Sequence, residues 1–225
     1  MTRGDEALRS SAARGPLSSR LRLHVAAAIL GVLLASPASA APGVSTTKFA
    51  EMPTGTYGSD HAHTSVVARL SHMGYSSYTL RFAKALAEYR FDPAAPEASR
   101  ITATIDPASI DTGSKSFDQE LAGKGWFDVK TYPEITFASS HIDIGDGMHG
   151  RVDGDLTLHG VTRPVTLMVT FNGVGGDLIP LVTRSGFSAS ATIKRSDFGI
   201  DRYEGLVGDE VQLVIEIEFT RKILS

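Results

Sequence analysis

Val211-Gln-Leu-Val-Ile-Glu-Ile-Glu-Phe219 decides the fold. Val211, Leu213, Ile215, Ile217 and Phe219 take every second position, and Gln212, Glu216 and Glu218 stand between them, with Val214 the one apolar intruder. A period of two sends alternate side chains to opposite faces of an extended chain. The stretch is therefore a strand with one apolar and one wetted face, the form antiparallel sheets take when one side is solvated.

The same period recurs upstream. Val66, Ala68 and Leu70 alternate within Thr64–His72; Ile101, Ala103 and Ile105 alternate with Thr102 and Thr104. Ile135 and Phe137, then Leu156 and Leu158, keep the pattern, followed by Val165 to Phe171 and Phe187 to Ile193. With a less regular segment over Tyr78–Phe91, about eight strands emerge. Gly145-Asp146-Gly147 marks a hairpin turn. Gly173–Asp177 and Gly205–Asp209 mark looser ones, and Gly154 inside a strand signals a bulge or a close backbone approach. Only Ser114–Lys124 departs from the period: Phe117 and Leu121 are at helical spacing, and Gly123 and Gly125 end a short helix.

Eight amphipathic strands leave no bare edge if they close into a barrel. The expected fold is all-β, a lipocalin-like antiparallel barrel with the short helix capping one end. Such a barrel is either filled by its own side chains or holds one small ligand. Ala68, Ala103, Ala189 and Ala191 on the apolar face fill little volume and favour a cavity, although a large residue opposite each one, such as Phe137 or Phe187, would fill the space as well.

The N-terminus reads as an export signal. Arg14, Arg20 and Arg22 precede an apolar run from Val25 to Ala35, and Ala38-Ser39-Ala40 is a small-x-small cleavage pattern. Residues 1–40 are the expected cleaved signal peptide, residues 41–56 a flexible lead-in and residues 57–225 the barrel domain, which places the mature protein in the periplasm. Five of the 22 basic and two of the 25 acidic residues lie before position 41, leaving 17 against 23, a net charge of about −6. An acidic product with no basic stripe is a poor partner for nucleic acid or an anionic surface. No cysteine is present, which excludes thiol catalysis, thiolate metal sites and a lipidated cysteine. The expected product is soluble, without stable membrane insertion, and not a lipoprotein.

No nucleophile elbow, His-Glu-x-x-His run, phosphate loop or dinucleotide fingerprint occurs, so no catalytic or metal site is expected. His61 and His63 share a face at i, i+2, but lack a third ligand nearby, and local hydrogen bonding accounts for them better. Parity places His72 with Val66, Ala68 and Leu70, where it contacts a ligand headgroup or is a satisfied structural histidine. His159 falls on the wetted face with Asp155 and Thr157, which suits a turn role. Trp126 and Phe127 form either a lid over the cavity mouth or plain core. Phe82, Phe137, Phe171 and Phe187 are either cavity lining or core, and Leu158 ends an inward row. Arg195 meets an anionic headgroup or stabilises its own loop.

Several segments carry a resemblance. Asp60-x-x-His63-Thr64 leads to His72-x-Gly74; Trp126-Phe127-Asp128-Val129 leads to Tyr132-Pro133-Glu134-Ile135-Thr136-Phe137. Gly154-Asp-Leu-Thr-Leu-His-Gly-Val-Thr162 and Arg195-Ser-Asp-Phe-Gly199 follow. In this order, over about Thr56–Lys222, they resemble the YceI-like polyisoprenoid-binding family; His61 departs from its pattern. The resemblance implies a lipocalin-like barrel with a helix over one end and a periplasmic or secreted setting. It also implies a long apolar cavity for an isoprenoid chain such as a polyprenyl phosphate or a quinone tail.

The reading is thus a non-enzymatic carrier of a polyisoprenoid or related amphipathic lipid, with no other cofactor. Its expected cavity or mouth residues are His72, Val66, Ala68, Leu70, Phe82, Trp126, Phe127, Phe137, Leu158, Phe187, Ala189 and Arg195. The alternatives are an envelope stress or structural protein acting through its surface, and a hydrolase on an apolar substrate with His72 as base. Long strands such as Val211–Thr220 leave a homodimer open.

Overall fold

A computed structural model describes residues 43–179 and 181–222. In chain order the elements are β1 (Gly43–Thr46), β2 (Gly55–His72), β3 (Ser76–Phe82), β4 (Ala85–Phe91), β5 (Arg100–Ile105) and β6 (Ile110–Asp111). The helix α1 (Lys115–Ala122) follows, then β7 (Ile135–Asp143), β8 (His149–Leu158), β9 (Val161–Gly176), β10 (Thr183–Lys194) and β11 (Val207–Arg221). The proposed signal peptide, residues 1–40, lies outside the described residues.

Eight places close a ring. Antiparallel pairing runs β2-β4-β5-β7-β8-β9-β10-β11, and β11 returns to β2. The segment read as one strand over Tyr78–Phe91 is two, because β2 pairs β3 through Val66–His72 and β4 through Gly55–Gly58. The break is held by hydrogen bonds. Ala83 N–H donates to the Ser109 carbonyl at 2.9 Å and Lys84 N–H to Ser109 Oγ at 3.0 Å, turning this backbone away from the ladder. Closure leaves β11 paired on both sides, by β10 and β2. The long strand invoked for a homodimer therefore has no free edge to offer.

Two further expectations are corrected. Residues 43–56 are not a loose lead-in. β1 pairs with β9, β2 starts at Gly55, and between them Phe49 packs edge-on to Phe91 and Phe171 while Met52 is buried. Gly173–Gly176 is not a turn but the end of β9, flanked by β1 and β10. Glycine suits it for close approach: a Cβ at Gly173 would meet Val44 Cγ1 at 2.5 Å. The turn comes later, between Gly176 and Thr183.

The β7–β8 hairpin is where the sequence put it. Gly145 and Gly147 take positive φ, and Asp146 Oδ1 accepts from Met148 N–H at 2.8 Å and His149 N–H at 2.6 Å. In β8, a Cβ on Gly154 would lie 2.5 Å from both the Ala138 carbonyl and Phe137 Cζ. The glycine lets the Phe137 ring cross the strand. α1 starts after Ser114, with Asp118 accepting from Thr112 N–H and Oγ1, and stops at Gly123.

Apolar packing falls into two clusters. One includes Leu121, Trp126, Phe198 and Ile200 near the helix and extends along the inner faces of β7 and β8. The other gathers Met52, Tyr57, Tyr89, Phe91, Phe171, Val174 and Phe219 at the opposite end. There Tyr57 and Tyr89 stack at 4.9 Å, and Tyr89 Oη lies 2.9 Å from Ser185 Oγ. Burial pushes the Tyr57 phenol up to about 12.

Candidate functional site

The inward rows of the eight strands enclose a cavity of about 300 Å³. β11 contributes Val211, Leu213, Ile215, Ile217 and Phe219, the five residues whose alternation set the fold. β2 contributes Val66, Ala68 and Leu70, and β10 contributes Phe187 and Ala189. Phe82, Phe137 and Leu158 complete the wall from β3, β7 and β8. Ala68, Ala85, Ala87, Ala103 and Ala189 all face this space, which is why it stays open. Its wall touches both apolar clusters, so it runs along the barrel rather than sitting at one end.

The helix closes one end. Leu121, Trp126 and Ile200 are buried there, and Phe127, half-buried, meets Phe82 edge-on at 5.6 Å. Trp126 and Phe127 therefore line the closed end and are not a lid over the mouth. Trp126 also packs on Tyr203 at 6.0 Å. At the other end the aromatic cluster covers one side, and the wall meets solvent beside it, at the β7–β8 hairpin. Asp143, Met148 and Arg151 of the β7–β8 hairpin are exposed, and Pro96, Ile144 and Gly147 are half-buried. Among the described residues, Leu86 on β4 is the one exposed wall residue elsewhere.

His72 is not in this wall. It keeps the parity of Leu70, but it stands at the last position of β2, opposite Ser76 and Val207, and is exposed. Parity fixes a face and not a depth. The expected inward histidine, and with it the base of the hydrolase reading, is absent from the cavity.

Arg195 is buried and borders the cavity, but its guanidinium is committed elsewhere. Nε donates to the Gly208 carbonyl at 3.0 Å. One terminal nitrogen donates to Ile200 at 2.7 Å and Arg202 at 2.9 Å, and the other donates to Val207 at 3.1 Å. Four carbonyls, two before β11 and two at its start, are satisfied by one side chain. Asp197 takes no part, and Asp209 accepts from Ser196 instead.

The His61-Ala62-His63 segment is held by local bonds. His63 Nδ1 lies 2.9 Å from Asp60 Oδ2, and Ala62 N–H donates to Asp60 Oδ1 at 3.0 Å. Asp60 also accepts from Arg184 at 2.7 Å, and this bond, with that to His63, lowers its carboxyl to about 2. Among the described residues no three His, Cys, Asp or Glu side chains group as a metal site. His159, at positive φ, lies 3.2 Å from the Phe198 carbonyl and packs on Tyr132, a turn role.

Among the described residues, two buried side-chain polar atoms have no partner: Trp126 Nε1 and Ser99 Oγ. Both residues border the cavity, Trp126 at the closed end and Ser99 just before β5. Sequence reasoning missed Ser99 because it sits outside any alternating run. An unpaired buried donor costs about 1–3 kcal/mol, which a ligand oxygen within reach would recover. The site can thus hold an elongated apolar chain and offers few polar contacts.

The YceI-like domain model matches residues 57–219. A UPF0312 protein of Pseudomonas putida strain W619 is 38% identical over 157 residues, covering 69% of this chain and 80% of the relative. The crystal structure of Burkholderia cenocepacia BcnA is similar at 35% identity and a TM-score of 0.64, covering 71% of this chain and 98% of that one. A polyisoprenoid binding domain from Saccharophagus degradans has a TM-score of 0.53 at 17% identity, covering 74% of this chain and 98% of that one, a likeness of fold alone. No helix among the described residues is long and apolar enough to cross a membrane.

Proposed function

The chain belongs to the YceI-like domain family, and from that premise we propose that it is a periplasmic carrier that shields the isoprenoid chain of an amphipathic lipid, without catalysing its turnover. The observation that carries this reading is the continuous apolar cavity of about 300 Å³, kept open by alanines on five wall positions. The fold it shares with a polyisoprenoid binding domain supports the choice of ligand.

The volume bounds the apolar contribution to affinity. At roughly 30 Å³ per water-sized group the cavity takes about ten methylene-sized groups. Burying ten such groups is worth about 8 kcal/mol, near micromolar before association and ordering costs. A longer prenyl chain places its remainder at the open hairpin end. A greasy tube discriminates weakly between chains, so selection falls to polar groups at its margins. Among the described residues no histidine borders the cavity, and the charged ones that do are Asp143 and Arg151 at the mouth and the committed Arg195.

Trp126 is the sole tryptophan and lines the closed end, so it reports occupancy. Titration with farnesol or a polyprenyl phosphate should shift its emission and saturate at one ligand per chain. An unchanged emission, with no lipid retained after gel filtration, contradicts the proposal.

A further inference from the structure

Three aliphatic side chains stand in solvent at the end of the barrel that carries the open hairpin. Leu178, Ile179 and Leu181, between β9 and β10, are 82%, 63% and 94% exposed. Unlike scattered surface leucines, which call for no explanation, these are neighbours in one turn. Val44 on β1, which pairs with the end of β9, and Met148 at the hairpin are exposed at the same end. The turn is also flanked by cations: Leu181 lines a second pocket together with Arg90, Arg221 and Lys222. Lys222 is paired with Glu88, whereas Arg90 and Arg221 have no carboxylate partner among the described residues.

We infer that this end docks on a phospholipid bilayer, with Leu178, Ile179 and Leu181 entering the headgroup–acyl boundary and Arg90 and Arg221 meeting lipid phosphates. Apolar side chains rimmed by cations are the composition that binds membrane interfaces. The inference rests on the carrier reading: the mouth opens at this end, so a lipid exchanged there passes from bilayer to cavity with little exposure to water. Attraction is mainly apolar, because Asp92, Glu97, Asp143 and Asp146 are exposed at the same end and offset the cations. The contact is peripheral and reversible; three side chains are far short of a spanning segment.

The opposite end supplies the control. Met73, Tyr75, Tyr203 and Leu206 are exposed there, beside the closed helix end, and the Met73 N–H bonds the Leu206 carbonyl. None of these four residues borders the cavity among the described residues, so the patch offers no route for lipid exchange.

The test is flotation of the purified protein with vesicles of phosphatidylethanolamine and phosphatidylglycerol. Wild type and a Tyr75→Ser, Leu206→Ser variant should float alike, and a Leu178→Asp, Leu181→Asp variant should lose about tenfold or more in partitioning. The Asp variant should still bind farnesol in solution, as read by Trp126. No flotation of wild type, flotation undiminished by the Asp pair, or loss confined to the Tyr75–Leu206 variant each overturns the inference. A wild type that binds no prenyl lipid in solution fails the carrier reading instead, and the two failures are read separately.

Discussion

Filling the cavity from its own wall should abolish ligand binding without unfolding the barrel. Ala189 lies on the inner face of β10, between Val169 of β9 and Ile215 of β11, and borders the cavity. In Ala189→Phe a six-carbon ring enters a space of about 300 Å³. At roughly 30 Å³ per water-sized group, the ring takes more than half of the ten available places. About six ligand groups are displaced, and at ~0.8 kcal/mol each the loss is near 5 kcal/mol, a thousandfold or more in Kd. Stability should change by less than about 1 kcal/mol, because the ring occupies a void rather than displacing packed neighbours. Trp126 emission under farnesol titration reads the first quantity, and urea denaturation reads the second. Undiminished affinity would refute the reasoning, since the ligand would then bind elsewhere. A drop of several kcal/mol in stability would show that the space is already filled.

Gly154→Ala should destabilise by about 1–3 kcal/mol in urea, because its Cβ would sit 2.5 Å from the Ala138 carbonyl and the Phe137 ring. Arg195→Met leaves the carbonyls of Ile200, Arg202, Val207 and Gly208 without their donor. It should cost about 3 kcal/mol or more and raise hydrogen exchange at the start of β11, whereas a ligand-contact role alone would leave stability intact. Asp60 sits at about 2 against an ordinary 3.8, first through its bond from Arg184 and then through His63. A lowered carboxyl stabilises the fold above the unfolded value and loses that contribution as pH falls through the folded one. Asp60→Asn should therefore flatten the stability profile between about pH 4 and 2, and an unchanged acid limb would show that Asp60 contributes nothing to it.

The inner wall was legible in the sequence because closure preserves the period of two. Every apolar position of Val211–Phe219 that alternation assigned inward borders the cavity. Of the four alanines that suggested a void, Ala68, Ala103 and Ala189 line one, and Ala191 does not border it. What alternation cannot show is where a strand sits along the barrel. His72 has the parity of the wall and the exposure of a strand end. The β3–β4 break depends on Ser109, more than twenty residues away in sequence, and no local signal announces it. Gly173–Gly176 carries turn composition, yet lies in a strand because β1 approaches so closely that side chains would collide. Phe49 and Met52 sit in a Gly/Pro/Thr-rich stretch, and only the aromatic cluster they pack on reveals them as core. The sequence leaves Trp126 and Phe127 as either lid or core, because position between helix and strand does not say which end of the barrel is closed; they pack in the core at the helix end, and the exposed hairpin is opposite.

Native mass spectrometry of the protein, purified from an envelope extract without detergent, tests the carrier claim most directly. The account predicts a stoichiometric apolar adduct, identified as a prenyl lipid after organic extraction, that is lost in Ala189→Phe. A bare mass that stays bare when polyprenyl phosphates and quinones are added would contradict it.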